Sequence, residues 1–175
     1  MVGEIRDLET AHMAIQSGLT GHFVISTIHS GTAAGVFTRL LDMGIEPYLA
    51  ASSVSGVLAQ RLVRLNCPSC AAPYTPDPLH LKHFGVDPAK ARFFRGKGCD
   101  ACQGIGYRGR ASIGEILRMH APIAELILGR PTTARLHALA TEHGMKTLAG
   151  DGLAKAEKGI TTLEELVRVL PSMEA

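Results

Sequence analysis

The sequence carries two pairs of cysteines, and each pair has the spacing Cys-x-x-Cys. The first pair is Cys67 and Cys70, the second is Cys99 and Cys102, and 28 residues lie between the pairs. Two such pairs predict a tetrahedral four-cysteine site for structural Zn²⁺, because each short loop presents two thiolates and four protein ligands leave no open position. A redox role is the alternative for a CxxC motif, but it needs one pair in a βαβ context. We therefore expect a structural zinc module, with a short helix over Leu79–Phe84 between the pairs.

Composition and charge narrow the class of protein further. The chain has 175 residues, of which 46% are hydrophobic and 19% charged, with a net charge of +2. These values are typical of a globular protein, and the weak net charge argues against a nucleic-acid partner. We find no apolar stretch of bilayer length and no signal-peptide pattern. We therefore expect a cytoplasmic protein whose cysteines stay reduced.

The first thirty residues hold a second concentration of reactive side chains. The run Phe23-Val24-Ile25 predicts a buried strand over His22–Thr27, and the histidines His22 and His29 flank it. The preceding segment Gly3–Asp7 presents an acid, a base and an acid in quick succession. Open α/β sheets place their ligands at the ends of buried strands. We interpret this stretch as part of a nucleotide site.

Each of these side chains also has a structural explanation. Arg6 can pair with Asp7 in a surface turn. His22 or His29 can form hydrogen bonds that stabilise the fold without contacting a ligand. Arg61, on a later predicted strand, can equally take part in a salt bridge or contact a nucleotide. The residues alone leave both explanations open.

Hydrophobic periodicity and turn residues predict alternating helices and strands. We expect one helix over Leu8–Gly18, a second after an N-cap at Thr32, a third near Pro47 and a strand over Val57–Leu65. This alternation favours βαβ units and a mostly parallel sheet.

The C-terminal part of the chain predicts four short helices. Ile123, Leu126 and Ile127 form the apolar face of the first, and either Thr132 or Thr133 caps the second. The third spans roughly Thr147–Lys158. The fourth begins with a capping box, either Thr161 with Glu164 or Thr162 with Glu165, and ends at Pro171.

Several motifs follow one another in a fixed order along essentially the whole chain. They are Val2–Thr10, Thr20-Gly21-His22 with Ser26–His29, Arg39-Leu40 with Met43-Gly44, Ala59–Leu62, the four cysteines, and Asp151–Leu153 with Gly159–Glu165. Together they resemble the secretion ATPase family that drives type II secretion and type IV pilus assembly, in which the first motif is the Walker B segment and the second the His box. The four cysteines resemble assembly rather than retraction ATPases. Two segments depart from the family pattern, which shows a threonine and an Asn-Asp pair at Ser30–Thr32 and prefers a glycine and an aromatic at Ser112–Glu115.

The resemblance implies an α/β fold: a partial RecA-like P-loop NTPase core with a tetracysteine zinc-binding insertion and a small C-terminal helical subdomain. It implies a division into core residues 1–66, zinc module 67–102, and strand return with helical subdomain 103–175. The phosphate-binding pattern GxxxxGK[ST] does not occur in the sequence. We therefore expect a C-terminal fragment of a longer motor, with negligible ATPase activity by itself.

The resemblance also implies roles for individual residues. Glu4, the Walker B acid, is expected to hold the Mg²⁺ shell through water, and His29 to sense the terminal phosphate; these are the two expected catalytic residues. The expected cofactors are ATP, Mg²⁺ and structural Zn²⁺. The expected nucleotide or Mg²⁺ contacts are Gly3, Glu4, Arg6, His22, Thr27, His29 and Arg61.

The function implied by the resemblance is that of a hexameric motor coupling ATP hydrolysis to assembly of a type II secretion pseudopilus or a type IV pilus. The expected partners are other copies of the chain, an inner-membrane platform protein and the cytoplasmic domain of a membrane protein of the apparatus, with membrane association only through them. A non-catalytic, zinc-stabilised interaction module docking on such an apparatus is the alternative. A DNA-binding zinc protein is a third hypothesis, which the low net charge disfavours.

Overall fold

The computed structural model describes residues 1–88 and 92–170. Within these ranges no helix combines the length and apolarity that a membrane crossing requires. The elements, in chain order, are α1 (Leu8–Leu19), α2 (Ala33–Asp42), α3 (Pro47–Ser53), β1 (Gly56–Asn66), β2 (Ala71–Tyr74), α4 (Pro78–His83), β3 (Phe93–Gly96), a 3-10 turn (Asp100–Cys102), β4 (Tyr107–Arg118), α5 (Ala121–Leu128), α6 (Thr133–Glu142), α7 (Leu148–Glu157) and α8 (Leu163–Val169).

Polar N-caps start most of these helices. An N-cap side chain that accepts a hydrogen bond from a backbone N–H of the first turn satisfies a group that the helix itself leaves unpaired. The structure confirms the predicted cap at Thr32 and the predicted helix start at Pro47, and it selects Thr132 over Thr133. The caps that bond in this way are Asp7, Thr32, Asp77, Thr132, Thr147 and Thr162.

The described chain forms two compact units, each built from two stretches of sequence. The first unit contains residues 1–59 and 115–146. In it α3 packs against α1 and α5, and α2 packs against α6. Its core is apolar, and its largest fully buried side chains are Phe37, Ile45, Leu117, Ile123, Ile127 and Leu136.

The second unit contains the described residues 60–88, 92–114 and 147–170. Its core gathers strand residues Val63 and Ile113 with Leu163 and Leu166 of α8. The predicted helix between the cysteine pairs is present as α4. The three-part division at 66/67 and 102/103 stays a prediction.

The expected buried strand over His22–Thr27 is wrong. The segment forms backbone hydrogen bonds with Val2 and Ile5 and is followed by an isolated parallel bridge between Ile5 and Ile28. Phe23 is 86% exposed and Ile25 56% exposed, so the apolar run is not buried. An apolar run cannot by itself distinguish a strand covered on both faces from a segment covered on one. Here the half-buried Val24 alternates with two exposed neighbours.

The expected mostly parallel sheet is also not observed in the described residues. The strand predicted over Val57–Leu65 is confirmed as β1, but it pairs with β4, and β2 pairs antiparallel with β3. The reason is that the cysteine region follows β1 directly, in the place where a parallel sheet would need a helical crossover. A parallel pairing is seen at the isolated bridge between Ile5 and Ile28.

The predicted capping box of the last helix forms only in part. Thr162, not Thr161, is the N-cap and accepts from the Glu165 N–H at 3.1 Å. The Glu165 carboxylate instead accepts hydrogen bonds from Arg64 and Arg168, because two guanidinium groups compete with one backbone N–H for it. The expected helix end at Pro171 lies outside the described residues.

Candidate active site and metal centre

The four cysteine sulfurs converge on one point in the second unit. The Sγ atoms of Cys67 and Cys99 are 3.8 Å apart, those of Cys70 and Cys102 are 3.9 Å apart, and all four lie within 4.8 Å of one another. Four Zn–S bonds of about 2.3 Å in a tetrahedron place neighbouring sulfurs about 3.8 Å apart. The thiols are free, not bonded as disulfides. The cluster therefore has the spacing and ligand chemistry that a zinc ion requires.

Tight backbone turns hold each cysteine pair. The Cys70 N–H donates to the Cys67 carbonyl at 3.2 Å, and the Cys102 N–H donates to the Cys99 carbonyl at 3.1 Å. The Cys102 sulfur accepts from the N–H groups of Cys99 and Gly106, both at 3.2 Å. Burial raises the pKa of the Cys102 thiol, but these N–H donors together with the Cys99 and Cys70 side chains outweigh burial and lower it. Such donors stabilise the thiolate, the form that binds metal.

The long spacing between the pairs is bridged by a two-stranded antiparallel ribbon. β2 leaves the first pair and β3 leads into the second, with Ala71 opposite Gly96 and Tyr74 opposite Phe93. The Lys97 N–H also donates to the Cys70 carbonyl at 3.1 Å. The ribbon thereby brings the two loops together although 28 residues separate them in sequence.

In the first unit Glu4 forms an ion pair with Arg6. Glu4 Oε2 lies 2.6 Å from Arg6 Nη2, with the two side chains 34% and 78% exposed. The hydrogen bond and charge of Arg6, with a smaller contribution from His29, lower the pKa of Glu4. The expected alternative, an Arg6–Asp7 pair, is not formed; Asp7 caps α1 by accepting from the Thr10 N–H at 2.8 Å. Glu4 is therefore an ionised carboxylate.

Two extended segments run side by side around Glu4. The Val2 N–H donates to the Ile25 carbonyl at 3.0 Å, and the Ile5 N–H donates to the Thr27 carbonyl at 2.8 Å. The Thr27 hydroxyl donates to the Gly3 carbonyl at 2.8 Å. These bonds bring Gly3, Glu4, Thr27 and the following residues into one region, as their grouping in one predicted site requires.

The two histidines occupy different surroundings. His29 is exposed and contributes to the electrostatic environment of Glu4. His22 Nδ1 lies 3.2 Å from the Thr20 hydroxyl oxygen and 3.3 Å from the Ser17 carbonyl oxygen, at the C-terminal end of α1. His22 thus has local hydrogen-bonding partners, as a histidine with a structural role would have. His29 instead lies within electrostatic range of Glu4, the expected catalytic acid.

Arg61 belongs to the second unit, on β1. Its Nη1 donates to the Gln60 carbonyl at 2.9 Å. The nucleotide contact expected of Arg61, like the other roles expected from the sequence, stays a prediction.

Glu115 has no role predicted from the sequence, yet it is only 2% exposed. Its Oε1 accepts from the Ala33 N–H at 2.6 Å. A signal was present: Ile113, Glu115 and Leu117 alternate along β4, so one inward-facing pattern includes an acid. A carboxylate at such a position needs hydrogen-bond partners from other elements, which the sequence does not identify.

Comparison with solved structures shows which fold the chain shares with known proteins. The chain superposes on the crystal structure of the pilus retraction motor PilT with bound ADP, with a TM-score of 0.65 and 22% identity, over 98% of this chain and 40% of that one. A similar likeness links it to the X-ray structure of the ATPase DotB of Yersinia pseudotuberculosis, with a TM-score of 0.64. The predicted α/β class and RecA-like P-loop type are confirmed.

The chain belongs to the family of type II/IV secretion system proteins, whose sequence profile matches residues 1–168. It is 48% identical over 178 aligned positions to the type II secretion system ATPase E of Vibrio cholerae, and 46% identical over 170 to the type IV pilus assembly ATPase PilB of Thermus thermophilus. It spans 34% and 19%, respectively, of the length of these two relatives. The predicted resemblance is confirmed.

Proposed function

We propose that this chain is part of an ATPase motor that couples ATP hydrolysis to assembly of a type II secretion pseudopilus or a type IV pilus. The observation that carries the proposal is that Glu4 forms an ion pair with Arg6 and lies within electrostatic range of His29. These residues occur in a chain of the type II/IV secretion system family. Relatives named for both systems match about equally well, so the sequence does not choose between them.

The chemistry proposed for this site follows from the charges of its side chains. Phosphoanhydride hydrolysis requires neutralisation of developing negative charge and a positioned water. Mg²⁺ keeps most of its waters, so an ionised carboxylate such as Glu4 would hold the ion through its hydration shell. The Arg6 side chain is 78% exposed and that of Glu4 34% exposed, so solvent screens their ion pair and makes it weak. A divalent cation can therefore displace Arg6, whose guanidinium is then available to phosphate oxygens.

His29 is the candidate group for contacting the terminal phosphate. It is exposed, and it follows Ile28, which the parallel bridge ties to Ile5 next to Glu4. Gly3, His22, Thr27 and Arg61 complete the proposed set of nucleotide contacts.

The cysteine cluster supplies a proposed structural zinc site, with one ion per chain. Its four sulfurs fill a tetrahedral coordination sphere, which leaves no position for a substrate. The expected role is to hold the turns and the β2–β3 ribbon in place.

The proposed assembly is a homohexamer under the cytoplasmic face of the inner membrane. Its proposed partners are a membrane platform protein and the cytoplasmic domain of a second membrane protein of the apparatus. The motor would then be completed by other copies of the chain, and it would associate with the membrane only through its partner proteins.

The test uses the full-length protein that contains this sequence. Glu4→Gln and His29→Ala should each lower ATP turnover at least tenfold while leaving zinc content and melting temperature unchanged. Glu9→Gln, on the neighbouring helix α1, is the matched control and should leave turnover unchanged. In cells the same active-site variants should abolish secretion or piliation.

The alternative function, a zinc-stabilised interaction module, gives a different result in the same experiment. Glu4→Gln and His29→Ala would then support normal secretion or piliation, and only cysteine substitutions would abolish it. That outcome would overturn the motor proposal.

A further inference from the structure

The Glu115 carboxylate connects β4 to the first residue of α2. Its side chain is 1% exposed, and Oε1 lies 2.6 Å from the Ala33 nitrogen. The Ala33 N–H is one of the groups that a helix start leaves unpaired, and the positive end of the helix dipole favours a carboxylate there. The bond therefore fixes the place where α2 begins.

The segment that leads into α2 is short and held at both ends. Ile28 is tied by the parallel bridge to Ile5, next to Glu4. Ala33 is tied to Glu115. Only residues 29–32 lie between these anchors, and His29 is the first of them. The position of His29 is thus limited by two fixed points five residues apart.

The loop also folds closely over the first turn of α2. The Ser30 hydroxyl donates to the Thr32 carbonyl at 2.9 Å, and the Thr32 hydroxyl accepts from the Gly35 N–H at 3.1 Å. A Cβ atom at Gly35 would lie 2.5 Å from the Ser30 hydroxyl oxygen. The loop therefore packs on α2, and a shift in where the helix starts would carry the loop with it.

We propose that Glu115 is a positioning residue that sets the place of His29 beside Glu4 by anchoring the start of α2. The expected effect of Glu115 on ATP hydrolysis rests on the proposed nucleotide site. The claim that Glu115 fixes the start of α2 rests only on the contacts of Glu115. His137 Nε2, on α6, lies 3.7 Å from Glu115 Oε2 and supports the carboxylate from its other side.

The first test measures hydrogen exchange and ¹⁵N relaxation in the full chain by NMR. In Glu115→Ala the Ala33 amide should lose about tenfold to hundredfold of its protection, since a hydrogen bond to a charged group is lost. Residues 29–32 should become mobile on the nanosecond timescale. Glu115→Gln keeps an oxygen that can accept from Ala33, so it should give a smaller loss of protection.

A second amide and a control variant distinguish a local effect of Glu115 on the start of α2 from destabilisation of the whole fold. The Leu40 amide, later in the same helix, should keep its protection within about threefold. Glu125→Gln, an exposed carboxylate on α5, should change neither Ala33 nor residues 29–32. Unchanged protection of Ala33 in Glu115→Ala, or equal losses at Ala33 and Leu40, would overturn the inference.

The second test measures steady-state ATP hydrolysis by the full-length protein. Glu115→Ala should lower kcat about tenfold or more with KM for ATP within threefold, and Glu115→Gln should restore part of kcat. A higher KM with an unchanged kcat would contradict the positioning role. If the wild-type full-length protein does not hydrolyse ATP, the proposed function fails. The NMR result then decides by itself whether Glu115 anchors the start of α2 and residues 29–32.

Discussion

Arg64 and Glu165 are in contact although 101 positions separate them in the sequence. Arg64 Nη2 lies 2.6 Å from Glu165 Oε2, and the Arg64 backbone N–H donates to Oε1 at 2.9 Å. Glu165 is fully buried, and Arg168 donates to it from one turn further along α8. One carboxylate thus joins β1 to α8 inside the second unit.

We expect replacement of Arg64 and Arg168 to lower the free energy of unfolding more than replacement of Glu165, the carboxylate that they contact. Arg64→Met with Arg168→Met leaves a buried carboxylate without a partner cation and should lower the free energy of unfolding by about 3 kcal/mol or more. Glu165→Gln should cost less, about 1–2 kcal/mol, because the arginine side chains are 41% and 57% exposed and can hydrate. Urea unfolding measures both. Glu157→Gln, exposed on α7, is the control, and a larger loss for Glu165→Gln would contradict this ranking.

The same carboxylate predicts a dependence of stability on pH. Burial raises the pKa of Glu165, but Arg168 and Arg64 outweigh it and hold the pKa at about 2, below the ordinary value of 4.5. A group with a lowered folded-state pKa stabilises the fold above its unfolded pKa, and that stability is lost as the pH falls. We expect a loss of about 1–2 kcal/mol between pH 5 and about pH 2, after allowance for solvent screening at the arginines. Unfolding curves at several pH values should show this loss, and Glu165→Gln should remove it.

Removal of zinc should unfold the ribbon of the second unit. Metal binding is coupled to folding because the site does not exist in the unfolded chain. A strong chelator should release about one zinc per chain, lower the melting temperature and increase proteolysis within residues 67–106. Cys67→Ala should reproduce the effect, and Ser69→Ala, between the first two ligands, should not. An unchanged melting temperature after complete zinc removal would show that the cluster is not a structural metal site.

Gly96 should be irreplaceable for steric reasons. A Cβ atom there would overlap the carbonyl oxygen of Gly106, whose N–H donates to the Cys102 sulfur. Gly96→Ala should therefore prevent formation of the intact zinc site. Gly104 has a φ of +79° but open space around it, so Gly104→Ala should cost only about 1 kcal/mol of backbone strain. Zinc content after dialysis separates the two variants, and normal zinc binding by Gly96→Ala would contradict the steric argument.

Local signals in the sequence predicted local structure well. The caps at Thr32 and Thr132 and the CxxC spacing each involve residues that are neighbours in the chain, so their chemistry is visible without the fold. The family resemblance was equally visible, since its motifs keep their order. From these features the sequence predicts the α/β fold class and the four cysteines of the candidate metal site.

Features that depend on distant residues were not predictable. The sequence does not show that Glu165 would accept from Arg64 in place of its own helix, because that choice depends on where β1 lies. It does not show that Glu115 would accept a hydrogen bond from the Ala33 N–H of α2, 82 positions away. Phe23 was expected to be buried, since apolarity alone does not specify which neighbours cover a side chain.

The interleaving of the two units has a consequence for synthesis on the ribosome. The helices α2 and α3 of the first unit pack on α6 and α5, which the ribosome makes only after the whole cysteine region. At about 5–20 residues per second, the last cysteine is translated seconds before α6 is complete. The thiols can therefore bind a zinc ion while α2 and α3 still lack their contacts with α6 and α5. Zinc supply during translation, not only after it, should influence how much of the nascent chain reaches its native state.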